Sequence, residues 1–172
     1  MQNGLSKPLA AAKWSLLAIL AVVTFSVALL PRATGYKWLW VRGPSVNMTL
    51  GLLNPGIPRE LEAGEYVLMV WQGSDPNGVS KLREGTAIVK RVACLPGQHL
   101  KVTMRQADCD GVMVGHIRHK TMDGMPISPA LYDDIIPPGK VFLLGEHYYS
   151  YDSRYFGLIP FERLQGTITV II

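Results

Sequence analysis

"GTAIVKRVACL", residues 85–95, opens on a glycine, runs through apolar and β-branched residues broken by one basic pair, and ends against Pro96 and Gly97. Helical periodicity is absent and Gly and Pro punctuate both ends, so it reads as a strand. Side chains alternate along a strand. Ile88, Lys90, Val92 and Cys94 therefore share one face, with Val89, Arg91 and Ala93 on the other. Lys90 is the odd charge on its face. A lysine held against apolar neighbours loses hydration, and its pKa falls because the charged form is disfavoured. Near neutrality such an amine can act as a general base. The bland alternative is a lysine that reaches solvent from an edge strand.

The same pattern recurs outward in both directions. "GEYVLMVW" (64–71), "HLKVTM" (99–104), "GVMVG" (111–115), "KVFLLG" (140–145) and "GTITVII" (166–172) read as strands. "EAGE", "LPGQ", "MDGMP" and "IPPGK" supply turns between them. The expected fold class is mostly β, a folded sheet or barrel-like domain. "QGSDPNGVSKLREG" (72–85) is polar, rich in turn residues and expected to be a flexible loop.

The first part of the chain differs. Trp14 to Leu30, "WSLLAILAVVTFSVALL", carries no charge over 17 positions. As a helix it covers roughly 26 Å, near the short end for a bilayer core. A cleaved secretory signal is the competing reading, but the small-x-small cleavage pattern is poor. The expected organisation is a cytoplasmic N-terminus (1–13), a transmembrane anchor (14–31), a linker (32–42) and one folded domain (43–172). The net charge is +4 from 17 Lys and Arg against 13 Asp and Glu. Lys7 and Lys13 precede the apolar run, so the domain is nearly balanced and no nucleic-acid footprint is indicated.

Two cysteines, Cys94 and Cys109, lack any CxxC or Cys/His spacing, which argues against zinc. Outside the cytoplasm a disulfide is natural for them; inside it they are two small buried hydrophobes. "GHIRHK" places His116 near His119 without a carboxylate or Cys partner, so no metal site is expected there.

Two further segments carry candidate chemistry. In "GPSVNMTLG" (43–51), Ser45 and Asn47 are two apart and face the same way on an extended chain. "GEHYYSYDSRYFGLIP" (145–160) concentrates Ser150, Asp152, Ser153 and Arg154. Asp152 and Arg154, also two apart, would pair if extended and brace a cleft.

Together "GPSVNMTLG", "AIVKRVACLPGQ" and "LLGEHYYSYDSRYFGLIP" resemble, in order, spacing and style, the signal peptidase I family. The resemblance is closer to its conjugative-transfer branch, the TraF-type peptidases of type IV secretion systems, and runs from about residue 43 to the C-terminus. It implies a signal peptidase I-like folded β-sheet domain with one N-terminal transmembrane helix. It also implies a serine protease with a Ser/Lys dyad and no cofactor, set in the bacterial inner membrane with its catalytic domain facing the periplasm. In the conjugative branch the substrate is a pilin precursor, some members join the pilin ends into a ring, and other conjugation-apparatus proteins are implied partners.

Carried residue by residue, the resemblance makes Lys90 the general base. Ser150 is the serine that orients it, and Asp152 and Arg154 are a bracing ion pair. Asn47 falls in the nucleophile slot, where a serine is expected, and Ser45 matches an upstream oxyanion-hole donor. Thr49 stands where proline is usual, and Gln98 where an aspartate is. Asparagine has no hydroxyl to deprotonate, so no acyl-enzyme forms on it by the usual route. Three readings stay open: Ser45 attacks in place of residue 47, the chain is an inactive form, or the alignment slips in this loop. A non-catalytic pilin-binding assembly factor, taking the peptide as an added strand, is the alternative function.

Overall fold

The computed structural model describes residues 6–43, 45–73, 75–80 and 82–172, with side chains from residue 12 onward, those of 30 and 32 excepted. The chain divides into two compact units at Lys37/Trp38. The first holds helix α1 (Ser6–Thr34), within which the 18 residues Ala12–Leu29 are long and apolar enough to cross a membrane. Trp14, Leu17, Ile19 and Phe25 all stand exposed on it. A helix apolar all round lacks a polar face and suits an apolar surround. Part of the expected N-terminal stretch, residues 1–5, lies outside the described residues.

The segment 32–42, expected as a linker, is structured. The helix runs to Thr34, and strand β1 (Lys37–Trp40) begins three residues later. Ten further strands follow among the described residues: β2 (Leu50–Pro55), β3 (Tyr66–Val70), β4 (Ala87–Cys94), β5 (His99–Val102), β6 (Gln106–Cys109), β7 (Val112–His116), β8 (Tyr132–Ile135), β9 (Lys140–Leu144), β10 (Ile159–Pro160) and β11 (Leu164–Val170). The domain is mostly β. Among the described residues its one short helix beyond α1, apart from a 3-10 turn, is α2 (Ser153–Phe156).

The strands form a seven-stranded sheet, ordered β1-β2-β11-β3-β4-β9-β10, and a four-stranded sheet, ordered β7-β6-β5-β8. β4 sits inside the larger sheet, antiparallel to β3 on one side and to β9 on the other. Residues 95–139 leave the end of β4, build the smaller sheet, and return as β9. Cys94, closing β4, is disulfide-bonded to Cys109, closing β6, with their Cα atoms 5.7 Å apart. A bridge over a loop of this length contributes on the order of 3 kcal/mol.

Three apolar clusters hold these layers. Leu100, Val102, Phe142 and Leu144 pack around the disulfide between the sheets. Val67, Met69, Val92, Val141, Leu143 and Leu164 fill the centre of the larger sheet. Val46 and Met48, 4% and 6% exposed, pack with Leu53, Val89 and Ile168. Burying each such side chain is worth about 1.5–3 kcal/mol, enough to fix which way the 45–48 segment turns.

Candidate active site

Lys90 lies in the middle of β4, paired opposite Val67 and only 3% exposed. Its Nζ donates to Ser150 Oγ at 2.7 Å. Burial pulls its pKa down from 10.5 to about 8; Asp152 opposes that shift and Arg154 adds to it. The two charges nearby act in opposite senses, so desolvation sets the outcome. The result is an amine that loses its proton far more easily than an exposed lysine.

Ser150 is held by the chain that returns from β9. That chain leaves β9 at Gly145 and enters α2 at Asp152, which caps the helix by accepting from Arg154 N–H. Asp152 Oδ1 also accepts from Arg154 Nε–H at 2.8 Å. Its Oδ2 accepts from Arg154 Nη2–H at 2.7 Å and from Gly145 N–H at 2.9 Å. Asp152 is fully buried, so these charge-assisted bonds are what make its burial tolerable. Arg154 Nη1–H reaches on to the His116 carbonyl at 2.7 Å. The Asp152–Arg154 pair thus forms across a helix cap and not along the extended chain the spacing suggests.

Residues 45–47 are a turn, not a strand. With Val46 and Met48 buried in the core, Ser45 is half-buried and Asn47 is exposed. Ser45 and Lys90 line one open cavity of about 330 Å³, together with Ile88, Arg118, Tyr149 and Tyr151; Asn47 is not in its lining. Glu146 grips the turn twice. Its N–H donates to the Ser45 carbonyl at 2.7 Å, and its carboxylate accepts the Asn47 N–H at 2.5 Å. The other carboxylate oxygen accepts Tyr66 OH at 2.7 Å and lies 3.8 Å from Arg91 Nε.

Gly145 makes this meeting possible. A Cβ there would overlap the Ser150 side chain outright and stand 3.0 Å from the Ser45 carbonyl oxygen. The near absence of space brings the 45–47 turn, Ser150 and Lys90 into one neighbourhood.

A family model described as signal peptidase, peptidase S26, matches residues 12–172. The chain belongs to that family. It is also 36% identical over 80 residues to a conjugal transfer protein TraF of Agrobacterium fabrum (strain C58 / ATCC 33970), a match covering 46% of this chain and 45% of that protein. A conjugal transfer protein TraF of Agrobacterium tumefaciens (strain 15955) is 35% identical over 74 residues, covering 42% of each. The match thus spans under half the length of these curated relatives. Among solved structures, a signal peptidase I from Enterococcus faecalis V583 is similar with a TM-score of 0.40 and 20% identity, covering 64% of this chain and 98% of that one.

Several residues of this candidate site have no counterpart among the residues that the sequence singles out. Gly145, Glu146, Tyr66 and Arg118 all act through contacts that no local pattern announces. The 72–85 loop, expected to be flexible, is tied down at two points. Asp75 accepts from Tyr151 OH and from the N–H groups of Asn77 and Ser80. Asn77 exchanges hydrogen bonds with the Ser128 backbone at 2.8 and 3.1 Å. Through these anchors Val79, Ser80 and Leu82 come to line the cavity that holds Ser45 and Lys90.

Proposed function

We propose that this chain is a membrane-anchored serine endopeptidase of Ser/Lys type that processes a pilin precursor for conjugation, with Ser45 as its nucleophile. The observation that carries this reading is that Ser45 and Lys90 line one cavity while Asn47 stands outside it. The S26 membership supports the peptidase class, and the TraF relatives support conjugation as its setting. The apolar helix supports the anchor, and the disulfide supports a domain outside the cytoplasm.

The chemistry follows from the groups in place. A neutral lysine amine has two N–H bonds and one lone pair. One N–H goes to Ser150 Oγ, which fixes the amine and leaves the lone pair to take the Ser45 hydroxyl proton. Ser45 Oγ then bonds to the scissile carbonyl carbon. As the tetrahedral intermediate collapses, Lys90 gives its proton to the leaving amine and an acyl-serine ester remains. Water, or an amine at the other end of the same pilin, resolves that ester to a linear or circular product. The Asn47 N–H is occupied by Glu146, so the backbone N–H of Ser45 is the donor for the developing oxyanion.

Intact mass of the pilin recovered from membranes tests this. Processing is expected with the unaltered chain and with Asn47→Ala, and is lost with Ser45→Ala or Lys90→Ala. A pilin processed only after Asn47→Ser would move the nucleophile to position 47 and make the natural chain a binding factor. Processing that survives Lys90→Ala would remove the dyad.

A further inference from the structure

Arg118 lies in the stretch between β7 and β8, is 6% exposed, and lines the same cavity as Ser45 and Lys90. Its Nη1–H donates to the Lys120 carbonyl at 2.7 Å and its Nη2–H to the Ser150 carbonyl at 3.2 Å. The rings of Tyr149, Tyr155 and Tyr148 lie 4.9, 5.4 and 5.8 Å from its Cζ. Its Nε–H is shielded from solvent and has no acceptor. The guanidinium is therefore rigidly held, yet its hydrogen bonding is incomplete.

Its charge is also unmatched. Among the described residues no carboxylate forms an ion pair with Arg118. Asp152 is committed to Arg154 and Gly145. Asp75 is committed to Tyr151 and to backbone N–H groups. Asp123, exposed on the rim of the cavity, has an interaction of its own. Arg154 Nη2 also comes within 3.4 Å of the Ser150 carbonyl. Two guanidinium groups thus converge on one carbonyl with a single buried carboxylate beside them. A buried cation without a counter-charge is costly, and a guanidinium fork is shaped to take a carboxylate.

We propose that Arg118 is the carboxylate receptor of the substrate site, reading an acidic group on the peptide that fills the cavity. The inference rests on the reading of that cavity as the peptide site. In a polypeptide substrate the available anions are Asp and Glu side chains and the terminal carboxylate. Ser150 touches Arg118 through its carbonyl and Lys90 through its hydroxyl. The carboxylate therefore sits within about two residues of the scissile bond, roughly 7 Å along an extended chain. Val79, Leu82, Ile88 and Ile127 in the same lining leave the neighbouring positions to small apolar side chains.

The test uses the full chain in detergent micelles with 15N-labelled arginine, following the Arg118 Nε–H resonance. Four N-acetylated tetrapeptide probes are titrated: tetra-alanine with a free C-terminus, tetra-alanine amide, and Ala-Ala-Glu-Ala amide with its Gln counterpart. At least one carboxylate probe is expected to bind about 10-fold or more tightly than its neutral partner. It should also shift the Arg118 resonance, and whichever pair shows the preference identifies the terminal or the side-chain source. Arg118→Gln is expected to erase the preference and Arg118→Lys to keep part of it. Equal affinity within both pairs on the unaltered chain overturns the proposal without relying on any variant, as does a preference that persists in Arg118→Gln. Absence of binding by all four probes overturns it together with the peptide-site reading. Pilin processing that depends on Ser45, with no carboxylate preference, removes this inference alone and leaves the peptidase standing.

Discussion

Lys90 and Ser150 meet through a 2.7 Å hydrogen bond in which both side chains are buried and the amine is the donor. The lysine pKa of about 8, against an ordinary 10.5, makes this relationship measurable. Between those two values the unfolded chain holds a proton that the folded chain does not, so stability rises with pH across that window. Below about pH 8 the whole penalty of the buried charge is present, on the order of 3 kcal/mol. Lys90→Met is expected to be more stable than the natural chain at pH 7 and to lose the advantage by pH 10. Denaturant unfolding of both proteins at the two pH values checks this; parallel pH curves would exclude a buried, shifted lysine. On the same basis kcat/KM for processing should climb to a plateau above about pH 8.

Gly145→Ala tests the tight approach behind the site. The added methyl would collide with Ser150, so either that side chain or the 45–47 turn must move. A stability cost of about 1–3 kcal/mol is expected from overpacking. The catalytic loss should be larger, about 100-fold or more in kcat, because misplacement of about 1 Å is enough. A variant with near-normal kcat would show that the Ser45 and Ser150 segments need not meet there.

Glu146→Gln weakens the grip on the 45–47 turn without changing the side chain's size. The amide keeps one acceptor oxygen where the carboxylate has two, so it cannot serve Asn47 N–H and Tyr66 OH as before. A fall of roughly 10- to 100-fold in kcat with a smaller change in KM is expected for a positioning residue. Burial and the Glu146 hydrogen bond push the Tyr66 pKa up to about 12. In Glu146→Gln the Tyr66 phenol should ionise at lower pH in an ultraviolet titration. An unchanged Tyr66 titration would place Glu146 away from this network.

The buried Asp152–Arg154 pair predicts an asymmetry. Asp152→Ala leaves Arg154 buried and uncompensated, which should cost about 3–5 kcal/mol. Replacing both, as Asp152→Leu with Arg154→Met, should recover much of that stability but not the activity, since Gly145 and the Ser150 segment lose their tether. Equal losses in the single and double variants, by thermal unfolding, would show that the pair is not acting as a unit.

Much of the sheet is legible in the sequence where strands are buried. β3, β4 and β9 announce themselves by apolar runs between glycines and β11 by the β-branched run after Gly166, and Lys90 stands out because its face is otherwise apolar. β8, "YDDI", does not, because an exposed edge strand needs no apolar face. β6 is equally quiet, although Asp110 and Gly111, at φ 49° and 79°, form a two-residue hairpin turn of a recognisable type. The placement of Ser45 against Asn47 is not legible at all. Alternation presumes an extended chain, whereas Val46 and Met48 are drawn into a core made by distant strands. Glu146 holds Asn47 across a separation of 99 residues, and no local pattern encodes such a contact.

β4 and β9 pair directly, and residues 95–139 hang between them as one long detour fastened at its root by the Cys94–Cys109 bridge. In the proposed mechanism the two arms carry the reaction: Lys90 on one, Ser150 just beyond the other. The detour contributes Arg118, Thr121, Met122 and Ile127 to the cavity wall. The proposal thus puts recognition and chemistry on separable stretches of chain. A different detour grafted onto the same two arms would change which peptides are admitted while leaving the proton-transfer apparatus where it is.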